Sequence, residues 1–164
     1  MKSAFVEAAL IRWFEDHFEG EASGAKRVAI HWPGERFEER TALWVKPRIA
    51  GFERPGDSRR GDEIDVLVLE VTCHVKVEPK GKRSLILSNL VDEARRLVDS
   101  SERATAQKIL NEDGLVIGII DFGPAQETRQ YDVGVSIGGV TIPGVDLAVL
   151  RTRCLISRTV PRVP

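Results

Sequence analysis

The stretch from Asp65 to Val77, DVLVLEVTCHVKV, alternates apolar and polar side chains over thirteen residues, and nothing else in the chain limits the fold so tightly. Successive side chains of a strand point to opposite faces. Leu67, Leu69, Val71, Cys73, Val75 and Val77 therefore share one face, and Glu70, Thr72, His74 and Lys76 the other. At about 3.3 Å per residue the strand is roughly 43 Å long, beyond the common length, and we expect it to outrun its own domain's core. The alternation also dissolves a tempting pair. Cys73 and His74 are adjacent but project to opposite sides, so they cannot form a hydrogen-bonded nucleophile and base. Cys73 is expected in the core and His74 at solvent or a neighbour.

The rest of the chain supplies partners for this strand. Ser3 to Phe18 reads as a helix, with Val6, Ala9, Leu10, Trp13, Phe14 and His17 at three-to-four spacing. Phe5, Ile11 and Phe18 widen its apolar arc past half the circumference, which implies either a second partner surface or a deeply buried helix. A short strand is expected in RVAIHW, a turn at Pro33 and Gly34, and a second strand over 42–49, with Pro47 at an edge or bulge. Residues 51–61, GFERPGDSRRG, read as a mobile hairpin tip. Ser84 is expected to cap a helix through Val98, whose apolar positions run from Leu87 to Val98 at helical spacing. Asn111 to Gly114 marks a hairpin turn. Tyr131 to Ile142 reads as a strand broken by Gly138 and Gly139, and Val145 to Ser157 as the last strand. The order of elements implies an α+β fold: one domain, a mainly antiparallel sheet, and the N-terminal helix and second amphipathic helix packed on one face. Its expected limits are 1–157, followed by a C-terminal arm at 158–164.

A chain of 164 residues can bury a sizeable core without cross-links. No apolar run approaches the ~20 residues of a membrane span, and the N-terminus intersperses Glu7, Arg12, Glu15 and Asp16 among its apolar residues, unlike a secretion signal. We therefore expect a protein made and used inside a cell, with no membrane partner and with Cys73 and Cys154 reduced in the core. A formal charge of −1 gives no global case for binding nucleic acid or membrane. The charge is unevenly spread, acidic over the first 25 residues and basic over the last 18. That pattern fits either head-to-tail contact between copies or two separately solvated surfaces.

Chemistry is sparse. Asp65 and Glu70 are placed as the carboxylates of a metal-dependent nuclease would be, but the position that needs lysine holds Thr72, and Lys76 lies about 13 Å further along the strand. His17, His31, His74, Cys73 and Cys154 lack ligand-like spacings, and no phosphate-binding loop or nucleophile elbow is present. No catalytic residue, metal or cofactor is expected, and we read the chain as not an enzyme.

The succession VAIHWPGERFEERTALWVKPRI and RRGDEIDVLVLEVTCHVKVEPKGKRSLILSNLVDEARRLVD resembles the tail terminator (tail completion) proteins of long-tailed bacteriophages and related prophage or gene-transfer particles. Trp32, Pro33, Gly34 and Phe37 match a turn of that family, Trp44 and Val45 a core strand, Gly61 a glycine leading the long strand, and Gly81 the turn before a helix carrying Ala94 and Leu97. The likeness spans about residues 3–157; the long charged tip at 51–61 and the proline-rich end depart from it. It implies a structural virion protein, assembled in the host cytoplasm, that forms a six-membered ring in the tail or neck. Such a ring caps the tail tube, stops tube polymerisation and meets the head-tail connector or stopper protein, with DNA in non-specific proximity to the lumen. A head-closure or adaptor ring is the nearest alternative, and a nuclease-like fold a distant one. Rings need two different patches per subunit. For ring contacts we expect Trp13, Phe14, Phe18, Thr72, His74, Lys76, Arg151 and Arg153; for the tail tube or lumen, Phe52, Arg54, Arg59 and Arg60.

Overall fold

The computed structural model describes residues 3–20, 28–36, 42–53, 65–76, 82–102 and 106–158. Helix α1 spans Ser3–His17, and α2 spans Arg83–Val98, followed by a short 3₁₀ turn, Ser100–Glu102. The strands are β1 (Ala29–Ile30), β2 (Leu43–Glu53), β3 (Asp65–Lys76), β4 (Gln107–Leu110), β5 (Val116–Ile137) and β6 (Val140–Arg158). They form one six-stranded sheet in the order β1-β2-β3-β6-β5-β4. Among the described residues only β1 pairs in parallel, and every other pairing is antiparallel. The expected α+β domain is what the chain forms.

Both helices cover the same face of the sheet. Val6, Ala9, Leu10, Phe14 and Trp13 of α1, and Leu87, Leu90, Val91, Ala94 and Leu97 of α2, join Leu67, Leu69, Val71, Cys73 and Val75 of β3 in one apolar cluster. The wide apolar arc of α1 is thus answered within the chain: Trp13 donates its indole N–H to the Leu97 carbonyl at 2.9 Å, and Phe14 meets Trp32 edge-on at 5.9 Å. Ser84 does not cap α2. The cap position is Lys82, which makes no side-chain capping bond, and Ser84 falls inside the first turn.

Strand β3 does not overhang. It is paired with β6 along its whole length, from Asp65 opposite Ile156 to Lys76 opposite Val145, and with β2 along nearly all of it. The surplus length belongs instead to the β5–β6 hairpin. Gly138 and Gly139 both have positive φ (59° and 82°), which a two-residue hairpin turn requires, so they end one long strand and start another where a broken strand was expected. Pro47 sits where an edge permits it. The Val45 carbonyl accepts from the His31 N–H, so Pro47, two residues on, turns its missing donor to the same side, beyond the end of β1.

The long hairpin curls. Register shifts lie at Phe122/Ala125, Gln130/Val133 and Val133/Val135, and Asp132 (φ 51°) and Gly144 (φ 65°) take left-handed conformations near its tip. Such bulges bend and twist a strand. The Asp132 N–H freed there donates to the buried Asp146 carboxylate at 2.9 Å. Ile137, Ile142 and Val145 consequently pack on Trp44 at one end of the face opposite the helices, forming a second, smaller core.

Candidate functional site

The second core decides what the outer face of the sheet can offer. Trp44 and His74 are opposite one another in the β2–β3 register, and their rings stack with centroids 4.6 Å apart and planes 8° from parallel. His74 is only 3% exposed, so in the single subunit it does not face solvent, and it lies stacked on Trp44 beside the second core. Burial, with a smaller contribution from the nearby Lys46 charge, lowers its pKa to about 3, and backbone hydrogen bonds to Trp44 and Thr72 offset only part of that. The imidazole is therefore neutral at physiological pH.

Trp13, Phe14 and Phe18 are buried too, within the helix–sheet core, so a lone subunit does not present them to another copy. Of the expected ring contacts, Thr72 and Lys76 are half-buried and Arg151 and Arg153 exposed on the outer face. Phe52 is exposed near the end of β2, whereas Arg54, Arg59 and Arg60 lie outside the described residues, as do residues 159–164 of the expected arm.

Further along the outer face, one register rung joins Arg48 of β2, Glu70 of β3, Arg151 of β6 and Gln126 of β5. Glu70 is 5% exposed, and each carboxylate oxygen is taken by a guanidinium: Oε1 accepts from Arg48 Nε (2.7 Å) and Nη2 (2.6 Å), and Oε2 from Arg151 Nη2 (2.8 Å). Burial would raise its pKa, but the bonds and charges of Arg151 and Arg48 outweigh that and hold it below the ordinary 4.5. Glu70 is thus committed to two arginines, while Asp65, five residues away, reaches Arg158 at 3.5 Å. That arrangement holds two cations in place; it does not present a pair of free carboxylates. Among the described residues no group of three or more His, Cys, Asp or Glu is placed to hold a metal ion. Both thiols are buried, which raises the pKa of Cys73 and pushes that of Cys154 up to about 12. Neither is poised as a nucleophile.

A network not anticipated from sequence seals the join between α2 and β5. The buried Asp99 carboxylate accepts from the Ser101 N–H (3.0 Å) and hydroxyl (2.6 Å), and from the Ala125 backbone N–H. Arg95 bridges Asp99 (2.8 Å) and Glu127 (2.6 Å), and Arg129 pairs with Glu127 and reaches Ser88 at 3.0 Å. Burial opposes the charge of Asp99 and Glu127, yet these partners hold both below the usual carboxylate range. The i, i+4 spacing of Arg95 and Asp99 was a readable signal; the partner on β5 was not.

The edge of β5 beyond this seal is open. Strand β4 covers β5 only from Val116 to Ile120, and among the described residues no strand pairs with the outer side of β5 from Asp121 to Ile137. The Ala125 N–H that Asp99 takes points outward. The register is unbroken from Ala125 to Gln130, so the N–H and C=O of Glu127 and Arg129 point the same way.

No family model and no curated protein matches the chain. One solved structure aligns with 100% of this chain and 99% of its own length at 11% identity, with a TM-score of 0.49, a likeness too slight to argue from.

Proposed function

We propose that this chain is a structural ring subunit of the tail-terminator kind: copies join in a closed ring, six by the family resemblance, that caps a tail tube and offers its other side to a head-tail connector or stopper. The observation that carries this reading is the open outer edge of β5. A strand edge with outward N–H and C=O groups is a template for another strand, and main-chain pairing fixes register without any apolar anchor. That matters here because the aromatic residues of α1 and the Trp44–His74 stack are spent inside the subunit. The second patch a ring needs is the opposite edge, β2 beyond the two residues that β1 covers among the described residues. Joining the β5 edge of one copy to the β2 edge of the next is a head-to-tail contact that can close on itself. The role is one of assembly in the virion neck, without turnover.

Light scattering coupled to size-exclusion chromatography tests it. The expected particle has about six times the 18.2 kDa subunit mass, alone or after addition of tail tube protein. A strictly monomeric chain that also ignores tube protein overturns the reading. Retention on immobilised connector but not on tube protein moves the ring to the head side of the neck.

A further inference from the structure

On the outer face, next to the second core, the register aligns two open rungs. The first is Arg48, Glu70, Arg151 and Gln126; the second is Lys46, Thr72, Val149 and Thr128. Their charged groups are three cations and one carboxylate, and the carboxylate is buried beneath the two guanidiniums it anchors. The Arg48 and Arg151 side chains are 51% and 59% exposed against 6% for that of Glu70. Arg153 follows Arg151 on the same face. The exposed acids Glu7, Glu15, Asp16 and Asp92 lie on the helices that cover the other face, and Asp121, an exposed acid of the outer face, pairs with Leu155 beyond these two rungs.

We propose that this open face binds the phosphate backbone of a nucleic-acid duplex, with Lys46, Arg48 and Arg151 as the phosphate contacts. Three features favour that partner. Protein interfaces centre on desolvated apolar anchors, and the exposed large hydrophobics, from Phe52 and Leu85 to Tyr131 and Leu155, all lie off these two rungs. Single strands are held by stacking on aromatic rings, and neither rung carries one. What the rungs do carry beside their cations is hydroxyl and amide groups, Thr72, Thr128 and Gln126, the side chains that contact phosphate oxygens without reading sequence. Glu70 contributes by fixing both guanidiniums before the ligand arrives, which lowers the ordering cost of binding. The proposal does not depend on ring formation, because both rungs lie on a single subunit.

Fluorescence anisotropy of a short labelled DNA duplex with the full chain, over about 50 to 200 mM salt, tests it. Three phosphate contacts predict a slope of log K against log salt of about −2.7, independent of DNA sequence. The double variant Arg48→Gln, Arg151→Gln should lower the magnitude of the slope by about 2 and weaken binding at least about tenfold at the lowest salt, while Arg48→Lys, Arg151→Lys should keep the slope. Lys46→Gln, which breaks no ion pair of the described residues, should remove about one unit of slope and covers the case in which the double variant fails to fold. Absence of binding at the lowest salt, or binding that neither neutral variant changes, overturns the proposal. So does low-salt self-association that needs Arg48 and Arg151 without any DNA binding, which would make the acidic helical side of a second copy the true partner. Light scattering on the same samples reads ring formation separately, so either idea can fail alone.

Discussion

His74 is a buried base whose protonation the fold opposes. Its unfolded pKa is near 6.5 and its folded pKa about 3, so above pH 6.5 it is neutral in both states and costs nothing. As pH falls below 6.5 the unfolded chain takes up a proton that the folded chain refuses, and stability declines until about pH 3. At about 1.4 kcal/mol per pH unit, roughly 2 kcal/mol should be lost between about pH 7.5 and 5. Glu70, Asp99 and Glu127, whose pKa values are lowered, keep their contributions over that window and lose them only as pH falls through their folded values, under 4.5, 3.8 and 4.5. His74→Phe keeps a ring against Trp44 and removes the titration. Urea midpoints for the variant should differ between the two pH values by far less than for the parent, and an unchanged difference would place the acid sensitivity elsewhere. Gly123 is a second residue with a sharp demand, because a Cβ there would lie 2.5 Å from the Arg153 carbonyl oxygen, while its own carbonyl accepts the Thr152 hydroxyl at 2.9 Å. Backbone cannot swing aside as a side-chain tip can, so Gly123→Ala should cost about 1–3 kcal/mol in chemical denaturation. Gly134→Ala, whose Cβ would approach nothing nearer than the Thr141 methyl at 3.4 Å, should cost under about 1 kcal/mol.

Among the elements, the α2–β5 corner is the one whose removal should be felt furthest along the sheet. Asp99→Ala strips the Ala125 N–H and Ser101 of their acceptor and leaves Arg95 with Glu127 alone, which should cost about 1–3 kcal/mol. Hydrogen exchange should show the Ala125 amide losing protection before amides in the centre of β6; equal protection in parent and variant would mean water or another group replaces the carboxylate. This corner also marks how far the sequence could be read. Both helices, β3 and the Asn111–Gly114 turn were legible because their signals are local: apolar spacing, alternation, and an Asn whose side chain accepts the Asp113 and Leu115 N–H groups. The length of β5 and β6 was not, since two adjacent glycines signal a broken strand and a two-residue turn equally well, and only positive φ at both positions separates them. Parity put His74 opposite the helices, as observed, but whether that face is wet depends on bulges that fold the hairpin tip over Trp44, a non-local outcome. The burial of the α1 aromatic residues within the chain was not legible for the same reason: periodicity gives the width of an apolar arc, not the number of neighbours in the same chain that fill it.

At the scale of the whole molecule the balance is between a subunit that hides its apolar side chains and a sheet that leaves main-chain groups exposed. Natural proteins guard an open edge with charge, short strands, bulges or proline. The β2 edge has Pro47, and β5 has its bulges, the Glu127–Arg129 pair and the seal at Asp99. Between Ala125 and Gln130, where the register is unbroken, the guard on β5 consists of side chains, which can turn away from an incoming strand, so pairing there is hindered but not blocked. A ring joined through this edge should therefore fail when the backbone donor is removed and survive when only the side chain is. Arg129→Ala loses the bonds to Glu127 and Ser88 but keeps the outward N–H, while Arg129→Pro loses the same bonds and the N–H as well. An edge strand tolerates proline, so both variants should retain the circular dichroism spectrum of the parent. In light scattering, Arg129→Ala should keep the mass of the ring and Arg129→Pro should fall to the 18.2 kDa monomer. A ring that persists in the proline variant would exclude the β5 edge as the subunit contact and shift attention to the cationic outer face, where the same measurement on the Arg48 and Arg151 variants decides.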